Sequence, residues 1–209
     1  MNSDVARDLS WSAKAFVDLV WPMIREHLGG GELVPAEAVM DERMSKDFDM
    51  LAGIDAWQVC RPGGIRGIAS RVQKGKKAWN TFTIRYARTT GTETEYSKRM
   101  RAIEHSDMGW LLPHITVQAY VTNELDRLLS CAVVRTKDLF CFAAESMREH
   151  DGKVYMQENR YDGNAFIVAP WDVLAANDIL VIVKEPVEAM AQTHYSTNWG
   201  KRVTGFNAN

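Results

Sequence analysis

Hydrophobic residues recur at two spacings along the chain, and each spacing predicts a different kind of element. Between residues 8 and 28 the apolar positions lie three or four apart, which is typical of an amphipathic helix. Ser10 is a suitable N-cap for this helix, and Pro22 is expected to kink or split it. The glycines at 29–31 are expected to end it, because glycine readily adopts the left-handed conformation found at helix ends.

The segment from residue 49 to residue 95 has the patterns that favour strands. Its first two runs, residues 49–60 and 65–73, mix β-branched and aromatic residues and flank a Pro-Gly-Gly sequence typical of a tight turn. A third run, residues 79–86, alternates apolar and polar residues. We therefore expect a meander of three neighbouring strands. The polar and acidic residues 32–50 have little periodicity, so we expect a loop or a short helix there.

The second half of the chain alternates between helical and extended patterns. Thr92 and Glu95 match a capping box, which predicts a helix through about residue 104 with Tyr96, Met100 and Ile103 on its inner face. The remaining elements expected are strands at 114–121 and 128–136, a helix at 137–150, a strand at 166–170, a helical turn at 171–176 and a strand at 178–184. In the strand at 114–121, alternate residues from Ile115 onwards are expected to point inward.

This order of elements predicts a mixed α/β domain around one central sheet. We expect the domain to cover residues 1–190 and a polar C-terminal extension to cover residues 191–209.

Composition narrows the class of protein. The chain has 209 residues, of which 46% are hydrophobic and 25% are charged, as in ordinary soluble globular proteins. No apolar run is long enough to cross a bilayer, and the N-terminus lacks the pattern of a signal peptide. We therefore expect a cytoplasmic protein with no membrane partner. Cys60, Cys131 and Cys141 lie in apolar runs and are expected to be buried, reduced thiols.

Charge is unevenly distributed along the chain. The net charge is −2, yet residues 61–104 contain 11 basic and 3 acidic side chains. A local excess of this kind suggests a surface that faces a polyanion, although the same residues could simply solvate hairpin edges and a helix face. The candidates for contacts with a phosphate backbone are Lys74, Lys76, Lys77, Arg85, Arg88, Lys98 and Arg99. Trp79 could stack on a base or fill the core, and of these two roles we expect the core.

The residue types exclude several kinds of site and leave one acid as the main candidate. The three cysteines show no paired spacing and the five histidines are scattered, so a Cys/His metal site is not expected. Asp55 lies in an apolar run, where a charged acid is costly unless it is paired or binds metal. Arg71 and Gln73 are two residues apart on the next predicted strand, so both should leave the same face. Asp55 could bind a metal ion or form a buried ion pair with Arg71.

These residues together resemble a known superfamily. An acidic strand with Gly53-Ile54-Asp55, a hairpin, a second strand with residues 68–73, and a later helix with residues 94–99 are similar to the PD-(D/E)XK nucleases. The resemblance covers roughly residues 10–135. It implies a restriction-endonuclease-like fold, with a mixed central sheet flanked by helices, and a nuclease that hydrolyses DNA phosphodiesters with Mg²⁺ or Mn²⁺. Homodimers are common among nucleases of this fold.

The resemblance assigns roles to individual residues. It implies that Asp55 is the main metal ligand. Where the superfamily has Glu/Gln-x-Lys, this chain has Arg71-Val72-Gln73, and neither side chain can replace its counterpart. Arg71 would then stabilise charge in the transition state, and Gln73 would orient water or a phosphate oxygen.

A second carboxylate must then come from elsewhere in the chain. Glu95 and Asp49 are the two candidates, although a capping box explains Glu95 and a loop turn explains Asp49 equally well. Glu26, late in the first helix, is a further candidate, but an exposed helix face explains it more simply. If no second carboxylate completes the site, we expect a catalytically inactive protein of the same fold. Such a protein would bind nucleic acid or a protein partner.

Overall fold

The computed structural model describes residues 11–36, 52–60, 63–77, 79–125, 127–159 and 161–184. Within these residues the fold is mixed α/β, with one six-stranded sheet and one three-stranded sheet. The strands are β1 (Glu32–Pro35), β2 (Ala56–Cys60), β3 (Gly64–Lys74), β4 (Thr81–Ala87), β5 (Ile115–Val121), β6 (Leu128–Arg135), β7 (Tyr155–Glu158), β8 (Ala165–Pro170) and β9 (Leu180–Lys184). Residues 11–15 are α-helical, and the α-helices that follow among the described residues are α1 (Trp21–Ile24), α2 (Glu95–Glu104), α3 (Thr136–Glu149) and α4 (Trp171–Ala176).

The first helix is split, as expected from Pro22. A π-helical turn spans Phe16–Val20, and α1 follows it with Pro22 in its first turn. Proline has no N–H to donate to the preceding turn, so a change of hydrogen-bond pattern at this point is the physical consequence. A 3₁₀ turn at Glu26–Leu28 then ends at Gly29, where φ is 81°. Ser10, the expected N-cap, lies outside the described residues.

The large sheet has the strand order β1-β2-β3-β5-β6-β9. The β2–β3 hairpin is confirmed, and it pairs Ala56 with Ile68. β1 adds to its edge, so the loop or short helix expected at 32–50 is wrong for residues 32–35. A strand of four residues is too short to show an alternation, which is why the sequence pattern did not indicate it.

The expected three-stranded meander is wrong. β3 pairs in parallel with β5, with Ser70 opposite Val117, instead of pairing with β4. β4 belongs to the small sheet, whose order is β4-β8-β7, and Phe82 on β4 lies opposite Ala169 on β8. Hence there are two sheets rather than one central sheet. A strand's alternation shows which face is apolar but does not show which strand lies beside it, so the pattern could not exclude this arrangement.

Two hydrophobic cores lie on opposite faces of the large sheet. One core joins the N-terminal helical segment to Ile68, Val117 and other apolar residues of the sheet. The second core joins the large sheet to β4, β8, α3 and α4, and it contains Tyr120 and Trp171. Ile115, Val117, Ala119 and Val121 all lie in the first core, as predicted, and the other three residues of β5 are buried as well. A strand covered on both faces needs no polar face.

Most of the later elements match the sequence pattern. The strands at β5, β6, β8 and β9 and the helices α3 and α4 lie where they were expected, within two residues at each end. Tyr96, Met100 and Ile103 pack against the second core, as predicted for the inner face of α2. β7 was not expected, and all four of its residues are exposed, so it has no apolar face to detect.

The cysteines differ from the expectation. Cys131 is buried, but Cys60 is partly exposed and Cys141 is exposed, and all three are free thiols. Burial raises the pKa of Cys131 to about 12, so this thiol is held in its unreactive neutral form. No helix among the described residues has the length and apolar character needed to cross a membrane.

The register of β3 can be tested with two isoleucines of the same strand. Ile68 is 0% exposed and lies in the first core, whereas Ile65 is 61% exposed. Ile68→Ala should lower the free energy of unfolding by about 2–5 kcal/mol, because it leaves a cavity in the core. Ile65→Ala should change it by less than about 0.5 kcal/mol. Urea denaturation measures both values, and equal effects would contradict this register.

Candidate functional site

A pocket of about 220 Å³ lies between the large sheet, the segment that joins β4 to α2, and α2 itself. It combines opposite charges, since four of its lining residues are cationic and three are acidic. The cations are Arg71, Arg88, Lys98 and Arg99, and the acids are Asp55, Glu93 and Glu95. The other lining residues are Gly53, Ala69, Ser70 and Thr116. Six of these seven charged residues, all except Glu93, are candidates that the sequence predicted.

Asp55 lies directly before β2 and is fixed by the neighbouring strand. Its backbone N–H donates to the carbonyl of Ile68 at 2.9 Å, which extends the β2–β3 hairpin by one residue. Its Oδ2 accepts hydrogen bonds from the Ser70 N–H at 2.5 Å and the Ser70 hydroxyl at 3.2 Å. The residue is exposed, so the argument that its charge is buried at a cost is wrong. The position at the mouth of the hairpin leaves the carboxylate in contact with solvent.

Arg99 holds the backbone that leads to Asp55. Its side chain is only 5% exposed, and its guanidinium donates to the carbonyls of Ala52 and Gly53, the latter at 2.8 Å. Gly53 has a φ of 52°, and a Cβ there would lie 2.3 Å from Nη2 of Arg99. A side chain at position 53 would therefore collide with the guanidinium. Arg99, expected to contact phosphate, lies in the wall of the pocket and shapes the turn before Asp55.

Glu95 does not form the capping box that the sequence indicated. The N-cap of α2 is Thr94, whose hydroxyl accepts from the Ser97 N–H at 3.4 Å, so the capping box of Thr92 and Glu95 is wrong. The Glu95 carboxylate is used differently. Its Oε2 lies 3.5 Å from Nη1 of Arg71 and accepts from the Arg85 N–H at 3.3 Å. These contacts direct Glu95 into the pocket.

Arg71 and Gln73 leave the same face of β3, as predicted, and both reach Thr83 on β4. Arg71 donates to the Thr83 carbonyl, and the Gln73 amide lies 3.3 Å from the Thr83 hydroxyl. The two residues differ in what lies beyond this contact. Arg71 lines the pocket and is partly buried, with 24% of its side chain exposed. Gln73 is not among the described residues that line the pocket, so the structure does not bring it to the expected site.

A pair of guanidinium groups shares one aromatic ring beside the pocket. The Cζ atoms of Arg71 and Arg85 lie 5.7 Å and 5.8 Å from the centre of the Phe166 ring. Burial lowers the pKa of Arg85 below its ordinary value, and the positive charges of Arg71 and Arg88 lower it further. The negative charge of Glu95 acts in the opposite direction. Glu95 therefore stabilises two like charges that would otherwise repel each other.

The remaining basic candidates divide into two groups. Arg88 and Lys98 line the pocket. Lys74, Lys76 and Lys77 are exposed at the far end of β3 and are not part of the lining. Lys74 has its ammonium 4.7 Å from the centre of the Trp11 ring. The sequence interpretation thus treated as one group basic residues that lie on two surfaces, the pocket lining and the loop after β3.

Three polar residues of the lining were not recognised from the sequence as site residues. Ser70 precedes Arg71, and its position next to a candidate residue is a signal that could have identified it. Glu93 forms an ion pair with Arg101 at 2.6 Å at the rim of the pocket. Thr116 lies on β5, and its hydroxyl is 2.8 Å from the Thr136 hydroxyl. It reaches the pocket only because β3 and β5 are parallel neighbours, which the sequence did not indicate.

The carboxylates of the pocket match the ligand chemistry of a hard divalent cation. Mg²⁺ takes oxygen ligands, commonly one or two carboxylates, and completes its shell with water and substrate phosphate. Asp55 and Glu95 line the same pocket and can provide those two carboxylates. Within the described part of the chain there is no cluster of three or more His, Cys, Asp or Glu side chains suited to a metal. Asp49 lies outside the described residues, and Glu26 is 83% exposed beside Arg25.

Comparison with known proteins gives no independent assignment. No protein-family model matches the chain, and no curated protein or solved structure is significantly similar to it.

The role of Arg99 in shaping the pocket can be tested by its effect on stability. Arg99→Ala removes the donors for two backbone carbonyls and should lower the free energy of unfolding by about 2–4 kcal/mol. Arg101→Ala is a matched control on the same helix, because Arg101 forms an exposed ion pair and its loss should cost less than about 1 kcal/mol. Urea denaturation measures both. If Arg99→Ala costs no more than the control, the guanidinium does not hold the turn.

Proposed function

We propose that the protein is a nuclease of the PD-(D/E)XK type that hydrolyses DNA phosphodiesters in this pocket with Mg²⁺ or Mn²⁺. The observation that carries the proposal is that Asp55 and Glu95, which are 40 residues apart in the sequence, border the same pocket. The four cationic residues of the lining would favour an anionic substrate such as a phosphodiester. Volume, ligand chemistry and charge are thus all suited to one phosphate group and one hard cation.

The order and direction of the strands support the same fold family. β1, β2 and β3 are antiparallel neighbours, the chain then passes through α2, and β5 returns parallel to β3. An acid at the start of one strand, a polar pair on the next and a helix that follows are the features that the resemblance requires. The departure is that β4 pairs with β8 in the small sheet.

In this proposal Asp55 and Glu95 hold the metal ion. Ser70 fixes Asp55 through its N–H and hydroxyl, and Arg71 and the Arg85 N–H fix Glu95, so neither carboxylate needs to reorganise before it binds a ligand. The chemistry that bound Mg²⁺ supplies is Lewis-acid stabilisation of negative charge on the phosphate oxygens.

The cationic side chains act on the substrate directly. Arg71 presents a guanidinium fixed by Thr83 and Glu95, and this group can stabilise the charge that develops on the phosphate in the transition state. Lys98 follows Glu95 by three residues on α2 and lines the same pocket, so its ammonium supplies the charge that Gln73 cannot. Arg88 is exposed at the rim, where it can attract the phosphate backbone.

The proposal predicts cleavage of DNA that requires a divalent metal ion and both carboxylates. Plasmid and single-stranded DNA should be cleaved by the purified protein with Mg²⁺ or Mn²⁺ and not with a chelator. Asp55→Asn and Glu95→Gln should each lower the rate by at least about 100-fold, because each removes one charged ligand. Glu104→Gln, on the exposed face of α2, is the matched control and should cleave normally. Metal-independent cleavage, or full activity in Asp55→Asn, would refute the proposal.

A second function is favoured by one specific contact. The Arg71 guanidinium lies 3.5 Å from Glu95 Oε2 and partly neutralises the carboxylate that would bind the metal. If this ion pair outcompetes the metal, the pocket binds nucleic acid without cleaving it. In that case Arg71 contributes to structure and binding but not to chemistry.

Arg71→Ala separates the two functions. In a nuclease, loss of the fixed guanidinium should slow single-turnover cleavage by roughly 10²–10³-fold, since that is the usual effect of removing one donor to a developing charge. In a binding protein there is no cleavage to lose, and Arg71→Ala should only weaken the salt-sensitive binding of DNA. Arg148→Ala, an exposed arginine on α3, is the control for nonspecific loss of positive charge. Thermal unfolding of each variant checks that the fold is retained.

A further inference from the structure

We propose that Trp79, together with Lys76 and Lys77, forms a stacking platform for a single-stranded segment of nucleic acid. The inference deepens the proposed function, because it takes nucleic acid as the class of ligand from that proposal and specifies its form. The name stacking platform refers below to these three residues.

Trp79 is more exposed to solvent than is usual for a large apolar side chain. The side chain is 60% exposed, so the expectation that it fills the core is wrong. Tryptophan is usually highly buried, because its large apolar surface gains more from burial than from contact with water. A large aromatic face left in solvent is therefore available to a ligand that offers another flat ring.

The backbone at Trp79 and the adjacent Asn80 is held in place by hydrogen bonds from buried residues. The Ser130 hydroxyl donates to the carbonyl of Trp79 at 3.1 Å, and Ser130 itself is buried. The backbone N–H of Trp171 donates to the carbonyl of Asn80 at 2.8 Å, and Trp171 is only 1% exposed. The indole is thus presented from a fixed segment, which lowers the entropic cost of stacking on a ligand.

The charge beside the indole is complementary to a phosphate backbone. Lys76 and Lys77 are both exposed and immediately precede the segment with Trp79. Lys74 does not belong to this surface, since its ammonium lies over Trp11 on the N-terminal helical segment. An aromatic side chain with neighbouring basic residues is the combination that binds single strands, in which the aromatic ring stacks on a base and the cations contact phosphates.

The position of the stacking platform relative to the pocket makes one continuous ligand geometrically reasonable. Arg71 in the pocket and Lys74 at the end of β3 are three residues apart, which corresponds to roughly 10 Å along a strand. The loop beyond Lys74 leads into β4, whose Thr83 accepts the hydrogen bond from Arg71. A nucleic-acid strand that leaves the pocket along β3 would therefore run towards the loop that carries the stacking platform.

Stacking on Trp79 selects for unpaired bases. In a duplex each base face is covered by its neighbours, so an indole can stack only where the strand is single or its bases are unstacked. The inference therefore assigns single-stranded nucleic acid, or a duplex with a single-stranded end, as the ligand class of this surface.

The test measures binding rather than cleavage, so it does not depend on the nuclease activity. A fluorescent oligothymidine and a fluorescent duplex are titrated with the full-length protein in the presence of a chelator, and anisotropy gives the dissociation constants. Trp79→Ala should weaken binding of the single strand by roughly 5- to 100-fold, as expected for the loss of one stacked base. Its effect on the duplex and on an abasic strand of the same length should be less than about twofold, because neither offers a free base face.

Two further variants test whether the effect is specific to Trp79 and how much the lysine charges contribute to binding. Trp110→Ala is the matched control, because Trp110 is also a partly exposed tryptophan (45%) but lies at the opposite end of β5 from the stacking platform. Trp110 precedes the start of β5, whereas Gly75, next to the platform, donates its N–H to the Val121 carbonyl at the end of that strand. This variant should bind oligothymidine as the unmodified protein does. Replacing Lys76 and Lys77 together by glutamine should reduce the slope of log affinity against log salt by about 1.4 for a single strand.

The outcomes are distinct from those of the cleavage assay. Selective weakening of single-strand binding by Trp79→Ala supports the stacking platform even if no cleavage is seen. An unchanged affinity in Trp79→Ala, an equal loss for duplex and single strand, or no binding of oligothymidine by the unmodified protein would each overturn the inference. Cleavage that depends on Asp55 would then still support the proposed function.

Discussion

The contact between Arg71 and Glu95 is the interaction on which the arrangement of the pocket depends. Arg71 extends from β3 in the large sheet, donates to the Thr83 carbonyl on β4, and reaches the carboxylate at the start of α2. A single side chain therefore joins the large sheet, the small sheet and the helix. Both partners are partly buried, with 24% and 29% of their side chains exposed, so solvent screens their attraction less than at an open surface.

This contact also governs the charge balance of the site. Arg71 and Arg85 approach the same ring of Phe166, and the negative charge of Glu95 attracts both guanidinium groups. A divalent cation bound to Glu95 would add to this positive charge, whereas a phosphate group would offset it. Metal and phosphate should therefore bind cooperatively, because each reduces the electrostatic cost of binding the other. The pocket is better suited to the pair than to either ligand alone.

Local structure was largely predictable from the sequence, and the relations between distant elements were not. The β2–β3 hairpin, the glycine that ends the N-terminal helical segment and the common face of Arg71 and Gln73 follow from spacing and residue type, which act over a few residues. The pairing of β3 with β5 brings Thr116 into the pocket, and no short-range pattern encodes that contact. Glu95 illustrates the same limit. Its spacing from Thr92 matched a capping box, but its carboxylate instead contacts Arg71, which is distant in the sequence.

The central claim is that Asp55 and Glu95 act together as ligands for one divalent cation, and Mn²⁺ binding followed by electron paramagnetic resonance tests it most directly. Titration should show one Mn²⁺ ion bound for each chain, with affinity enhanced by a non-cleavable phosphate ester. Asp55→Asn and Glu95→Gln should each abolish that binding, and Glu104→Gln should leave it intact. Stoichiometric binding that neither pocket variant alters would contradict the account, because the ion would then lie elsewhere.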